Sequence, residues 1–158
     1  MDTEPILMEK PSPEDVKNAV ERYFSSDESS QPIRESAKII KTDHETEQKI
    51  NSLSGRCVAQ TTSLQEFLDQ DGIYTIIVKS KNQGEHTFLI CDTSKGEIII
   101  DATVGMFVVY PQIFVGTLAE LRKIFLDSER EFLAGKRLWS IEHDITTREE
   151  WFNILYTY

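Results

Sequence analysis

Three β-rich segments separated by short polar breaks constrain the fold of this chain more than any other feature. Ile73 to Lys79 (IYTIIVK), His86 to Cys91 and Glu97 to Thr103 are rich in the β-branched and aromatic residues that fit a pleated surface. Asp92-Thr-Ser-Lys-Gly96 combines Asp, Ser and Gly between apolar runs and reads as a hairpin loop, and Ser80-Lys-Asn-Gln-Gly-Glu85 reads as a turn. Three consecutive strands joined in this way predict an antiparallel sheet. Residues 106 to 115 are apolar around Pro111, so they form a strand or an extended connection that proline keeps off the sheet centre. A last strand is predicted near Leu138 to Ile141.

Helical signals surround these strands. Ser12-Pro13-Glu14-Asp15 has Ser as N-cap, Pro at the first helical position and acids in the first turn, and Val16, Ala19, Val20, Tyr23 and Phe24 follow at helical spacing. This helix is expected to end before Ser25-Ser-Asp-Glu-Ser-Ser30, a solvated linker. Further helices are predicted over Pro32 to Ile40 and within residues 42 to 50. Thr117-Leu-Ala-Glu120 is a capping box for a helix running to Gly135 with Phe132 inward, and Thr147 with Glu150 opens the last helix. Residues 1 to 12 read as a flexible arm. The aromatic residues Tyr23, Phe24, Phe125, Phe132, Trp151, Phe152 and Tyr156 lie at helical spacings and read as core.

Between the linker and the strands, Ser54 is a candidate N-cap, and Cys57, Thr61, Leu64 and Leu68 then form one helical stripe. Cys57 would be the third residue of that helix. Unpaired backbone N–H groups and the positive end of the helix dipole stabilise a thiolate there, and a nearby imidazolium lowers a thiol pKa further from its free value of about 8.5. The hairpin offers such an imidazole. If the loop centres between Thr93 and Ser94, His86 lies directly opposite Asp101; if it centres between Ser94 and Lys95, the two are diagonal. Both registers put them on the same sheet face. A carboxylate beside imidazole orients it and favours its protonated form, so Cys57, His86 and Asp101 have the order nucleophile, base, orienter.

Gly55-Arg-Cys57 at a helix start, His86-Thr-Phe-Leu-Ile at a strand start and Ile98-Ile-Ile-Asp101-Ala-Thr at the next strand's end resemble the papain-like cysteine enzymes of bacterial toxins and effectors. That group includes glutamine deamidases and avirulence-type proteases. The resemblance covers about residues 51 to 107 and implies an α+β papain-like fold, with helices packed on an antiparallel sheet and the nucleophile at a helix N-terminus. Around it the chain reads as one catalytic domain over residues 13 to 158: helical 13–50, papain-like core 51–145 and a C-terminal helix 147–158. Cys57, His86 and Asp101 would form the triad. The Gln that donates to the oxyanion in papain-like enzymes has its nearest counterpart in Asn51, which is shorter; the backbone N–H of Cys57 is the alternative donor. The implied activity is amide hydrolysis on a protein substrate of a host or target cell, with glutamine deamidation ahead of proteolysis or transglutamination.

Each residue also has a plainer role. Cysteine on an apolar helix face fits a small core residue, and Cys91, alternating with Leu89, reads as one. His86 could end a turn, and Asp101 could cap a loop. His44 sits among Asp43, Glu45 and Glu47 and reads as exposed, whereas His143 beside Asp144 is a rival base. The histidines and cysteines lack the close spacing of zinc ligands, and there is no Gly-rich phosphate loop, so no metal or cofactor is expected.

The bulk numbers agree with one domain. The chain has 158 residues, 39% hydrophobic and 28% charged, enough for a core of its own. A formal charge of −10 argues against a nucleic-acid partner and leaves open a non-enzymatic module that holds a basic protein. Two cysteines make no disulfide framework. No apolar run approaches the roughly twenty residues of a membrane span, and Met1-Asp-Thr-Glu-Pro lacks the features of a secretory signal. The expectation is a protein soluble in the cytoplasm where it is made, or exported by a specialised system that reads no such signal.

Overall fold

A computed structural model describes residues 9–26, 57–81, 86–108, 110, 112–128 and 148–158. In chain order these form helix α1 (Pro13–Ser26), helix α2 (Cys57–Gln70) and strands β1 (Ile76–Lys79), β2 (Thr87–Thr93) and β3 (Gly96–Asp101). A 3-10 turn (Val104–Met106), strand β4 (Phe114–Gly116) and helices α3 (Leu118–Asp127) and α4 (Arg148–Tyr156) follow. The sheet has the order β1-β2-β3-β4, and every neighbouring pair is antiparallel. The fold class is α+β. No helix among the described residues is long and apolar enough to cross a membrane.

The β2–β3 hairpin turns at Ser94 and Lys95, with Thr93 paired to Gly96 and Leu89 to Ile100. Of the two registers the sequence allows, this is the diagonal one. Gly96 supports it with φ +104°, a backbone state that side chains disfavour, and the Thr93 hydroxyl donates to the Gly96 carbonyl at 2.6 Å while accepting from Lys95 N at 3.2 Å. On the outside of this hairpin, Ser94 N donates to the Pro11 carbonyl and Lys10 pairs with Asp92.

Helix ends follow local chemistry, with three departures from expectation. At α1, Ser12 Oγ accepts from Asp15 N and the Asp15 carboxylate accepts from Ser12 N, a reciprocal cap at the predicted place. The helix then continues through Ser25 and Ser26, because Ser26 Oγ donates back to the Tyr23 carbonyl instead of leaving it open. The α2 helix ends in a Schellman motif: Gly72 (φ +76°) donates to Asp69 O, and Ile73 N donates to Leu68 O. Ile73 is thereby taken by the helix cap, and the strand predicted from Ile73 starts at Ile76. The capping box at Thr117 and Glu120 is present, but α3 stops at Asp127, well before Gly135. Ser128 is extended, and the Arg148 guanidinium donates to the carbonyls of Phe125 and Ser128, occupying the helix end from outside.

Two cores lie on the two faces of the sheet. Successive residues of a strand point to opposite sides, and β2 is buried on both. Leu89 and Cys91, with Ile98 and Ile100 of β3, face α1 and α2, where Val16, Ala19, Leu64 and Leu68 cover them. Phe88, Ile90 and Ile99 face α3 and α4, packing with Leu121, Phe125, Phe152, Leu155 and Tyr156. The helices predicted over 32–40 and 42–50, the strand near 138–141, Phe132 and Pro111 lie outside the described residues.

Candidate active site

His86 occupies the position just before β2, and both of its backbone groups are tied to the end of β1. Ser80 N donates to the His86 carbonyl at 2.9 Å, and His86 N donates to Ser80 Oγ at 3.2 Å. Asp101 closes β3. The observed register sets Asp101 opposite Phe88, so His86 is its diagonal neighbour on the same face. Their side chains meet: His86 Nε2 lies 2.6 Å from Asp101 Oδ2, with the imidazole 1% and the carboxylate 0% exposed.

A carboxylate buried this deeply needs donors, and Asp101 has them on both oxygens. Oδ1 accepts from Thr103 N at 2.9 Å and from the Thr103 hydroxyl at 3.5 Å. Oδ2 accepts from the Tyr156 hydroxyl at 2.5 Å in addition to facing His86. Aromatic rings close around the imidazole. Phe88 stacks on it, while Phe107 and Tyr156 meet it edge-on at centroid distances of 4.9 and 5.2 Å. Phe107 arrives there because the 3-10 turn after Thr103 folds the chain back, with Phe107 N donating to Val104 O.

Cys57 begins α2, and its side chain lies outside the described residues. The stripe expected to continue from it is present, with Thr61, Leu64 and Leu68 all buried. Two contacts set the helix direction. The Thr61 hydroxyl donates to the Thr87 carbonyl, and Gln65 Nε2 donates to the carbonyl of Thr75, next to β1. Running from Thr61 back to Cys57 therefore moves four residues, about 6 Å, toward the end of β2 that His86 precedes. The start of α2 and the His86–Asp101 pair thus share one end of the sheet. They approach it from opposite faces, because α2 covers Leu89 and Cys91 whereas His86 and Asp101 point with Phe88 and Ile99.

The structure therefore brings His86 and Asp101 together as the hairpin parity predicts. Asn51, Ser54, Gly55, Arg56, His44, His143 and Asp144 lie outside the described residues. Cys91 is the core residue its alternation implied: it is fully buried, and burial, with a smaller contribution from Asp92, pushes its thiol up to about 11. Sequence reasoning missed Thr103 and Tyr156. Thr103 had a local signal, since Asp commonly accepts from the backbone two residues on. Tyr156 had none as a polar partner: 55 residues separate it from Asp101, and its helical spacing marked it only as core. No family model, curated protein or solved structure matches the chain.

Proposed function

We propose that this protein is a cysteine-dependent amide hydrolase with a papain-like arrangement, Cys57 acting as nucleophile, His86 as base and Asp101 as the residue that orients His86. The observation that carries this reading is the His86–Asp101 contact, in which a carboxylate pinned by Thr103 engages Nε2 of a buried imidazole. With Nε2 so engaged, proton transfer falls to Nδ1. Cys57 Sγ attacks the amide carbon, its proton passes to His86 and then to the leaving nitrogen, and water hydrolyses the thioester and restores the thiol. The backbone N–H of Cys57, with Asn51 as a second donor, would hold the oxyanion. On a protein glutamine this sequence consumes one water and yields glutamate and ammonia. The preference for glutamine over a peptide bond follows the resemblance to toxin-type deamidases.

The deciding experiment is the rate of Cys57 alkylation by iodoacetamide against pH in wild type and His86→Ala, both in a Cys91→Ala background. The hydrolase reading expects an apparent pKa well below that of a free thiol, moved upward by His86→Ala. Ammonia release from candidate substrate proteins then separates deamidation from proteolysis.

Burial of the pair, and its place on the face opposite α2, favour a second reading. Here the polar network specifies the aromatic core, and the acidic chain serves as an interaction module for a basic protein. A folded protein whose Cys57 alkylates no faster than a free thiol, with no response to His86→Ala, would select this alternative.

A further inference from the structure

We infer that Tyr156 is a positioning residue for His86, acting through Asp101: its hydroxyl holds the carboxylate so that Oδ2 stays aimed at Nε2. The catalytic consequence rests on the hydrolase reading above; the hold on Asp101 does not.

A carboxylate can rotate about its Cα–Cβ and Cβ–Cγ bonds, and the contacts from Thr103 N and Oγ1 fall on Oδ1. Oδ2 accepts from Tyr156 at 2.5 Å and faces His86 Nε2 at 2.6 Å, so the two groups converge on one oxygen. The Tyr156 ring also meets the imidazole nearly perpendicularly, at 82°, blocking one direction of ring motion. Tyr156 is itself held by α4, whose first residue, Arg148, is anchored on the last carbonyls of α3. The last described helix of the chain therefore sets the geometry of a pair on the central strands.

The test compares wild type with Tyr156→Phe, which removes one oxygen and keeps the ring. The His86 Nε2–H proton is followed by NMR, and Cys57 alkylation is followed against pH in the Cys91→Ala background. We expect the Nε2–H resonance to shift and its exchange with water to accelerate roughly five- to tenfold in Tyr156→Phe. The alkylation profile should move part of the way toward that of His86→Ala. A folded Tyr156→Phe protein with an unchanged Nε2–H resonance and an unchanged profile would overturn the inference and leave Tyr156 as a space-filling ring. If Tyr156→Phe does not fold, the wild type decides: a through-space cross-peak between the Tyr156 hydroxyl proton and His86 Nε2–H supports the shared oxygen, and its absence overturns it. A resonance that responds to Tyr156→Phe while Cys57 ignores His86→Ala sinks the hydrolase reading and leaves the hold of Tyr156 on Asp101 standing.

Discussion

The two faces of the sheet are built on different principles, although the same strands supply both. Toward α1 and α2 the core is largely aliphatic, and its one described thiol, Cys91, is fully buried and held toward its protonated form by that burial. Toward α3 and α4 it is aromatic, and it encloses the His86–Asp101–Tyr156 network. An aliphatic core gains stability from area and packing and tolerates volume-conserving change. A buried polar network stabilises only when every member has its partner, and a half-removed one is worse than none. On the second face the fold fixes the orientation of a titratable side chain, because Asp101, Thr103 and Tyr156 hold His86 from several sides.

The largest expected effect breaks the network. Asp101→Ala leaves His86 Nε2 and the Tyr156 hydroxyl facing each other without their shared acceptor, and should cost about 3–5 kcal/mol in urea unfolding. A loss below about 1 kcal/mol would mean that the aromatic face does not depend on its polar centre. Leu64→Ala empties a fully buried site on the other face and should cost about 3 kcal/mol. It should leave the His86 Nε2–H resonance where it is; a shift comparable to that of Tyr156→Phe would show that the faces are not independent.

Smaller changes sharpen the contrast. Thr117→Ala removes the cap of α3, the helix whose far end receives Arg148, and should cost about 1 kcal/mol in thermal or urea unfolding. The smallest effect belongs to Cys91. Its thiol is raised from 9.0 to about 11, so the folded state favours the protonated form. The resulting stabilisation is fully present below pH 9 and is lost as pH rises through 11. Unfolding free energies of wild type and Cys91→Ala should therefore converge, or cross, over that interval and run parallel below it.

Much of the sheet was legible because it depends on neighbours in sequence. The hairpin at Ser94 and Lys95, the caps at Ser12 and Thr117, and the break at Gly72 each use a few adjacent residues, whose turn and capping preferences are local. The pairing of His86 with Asp101 was legible for a related reason. Strand side chains alternate with period two, so either permitted loop centre left both residues on one face. Two of the departures were local, Ser26 bonding back to Tyr23 and Ile73 capping α2 on Leu68, and the third involved a distant group. At the early end of α3 the carbonyl of Ser128 is taken by Arg148, 20 residues further along the chain.

The sequence by itself determined an antiparallel sheet, its hairpin parity and the stripe of α2 on which Thr61, Leu64 and Leu68 are buried. Only the tertiary structure decided which helix covers which face, that α2 lies across the sheet from the His86–Asp101 pair, and that Tyr156 completes that pair. The reason is physical. Alternation and capping are written into a few consecutive residues, whereas the covering of a face is settled by packing elements far apart in the chain, and an aromatic position carries no local mark of the carboxylate it will meet.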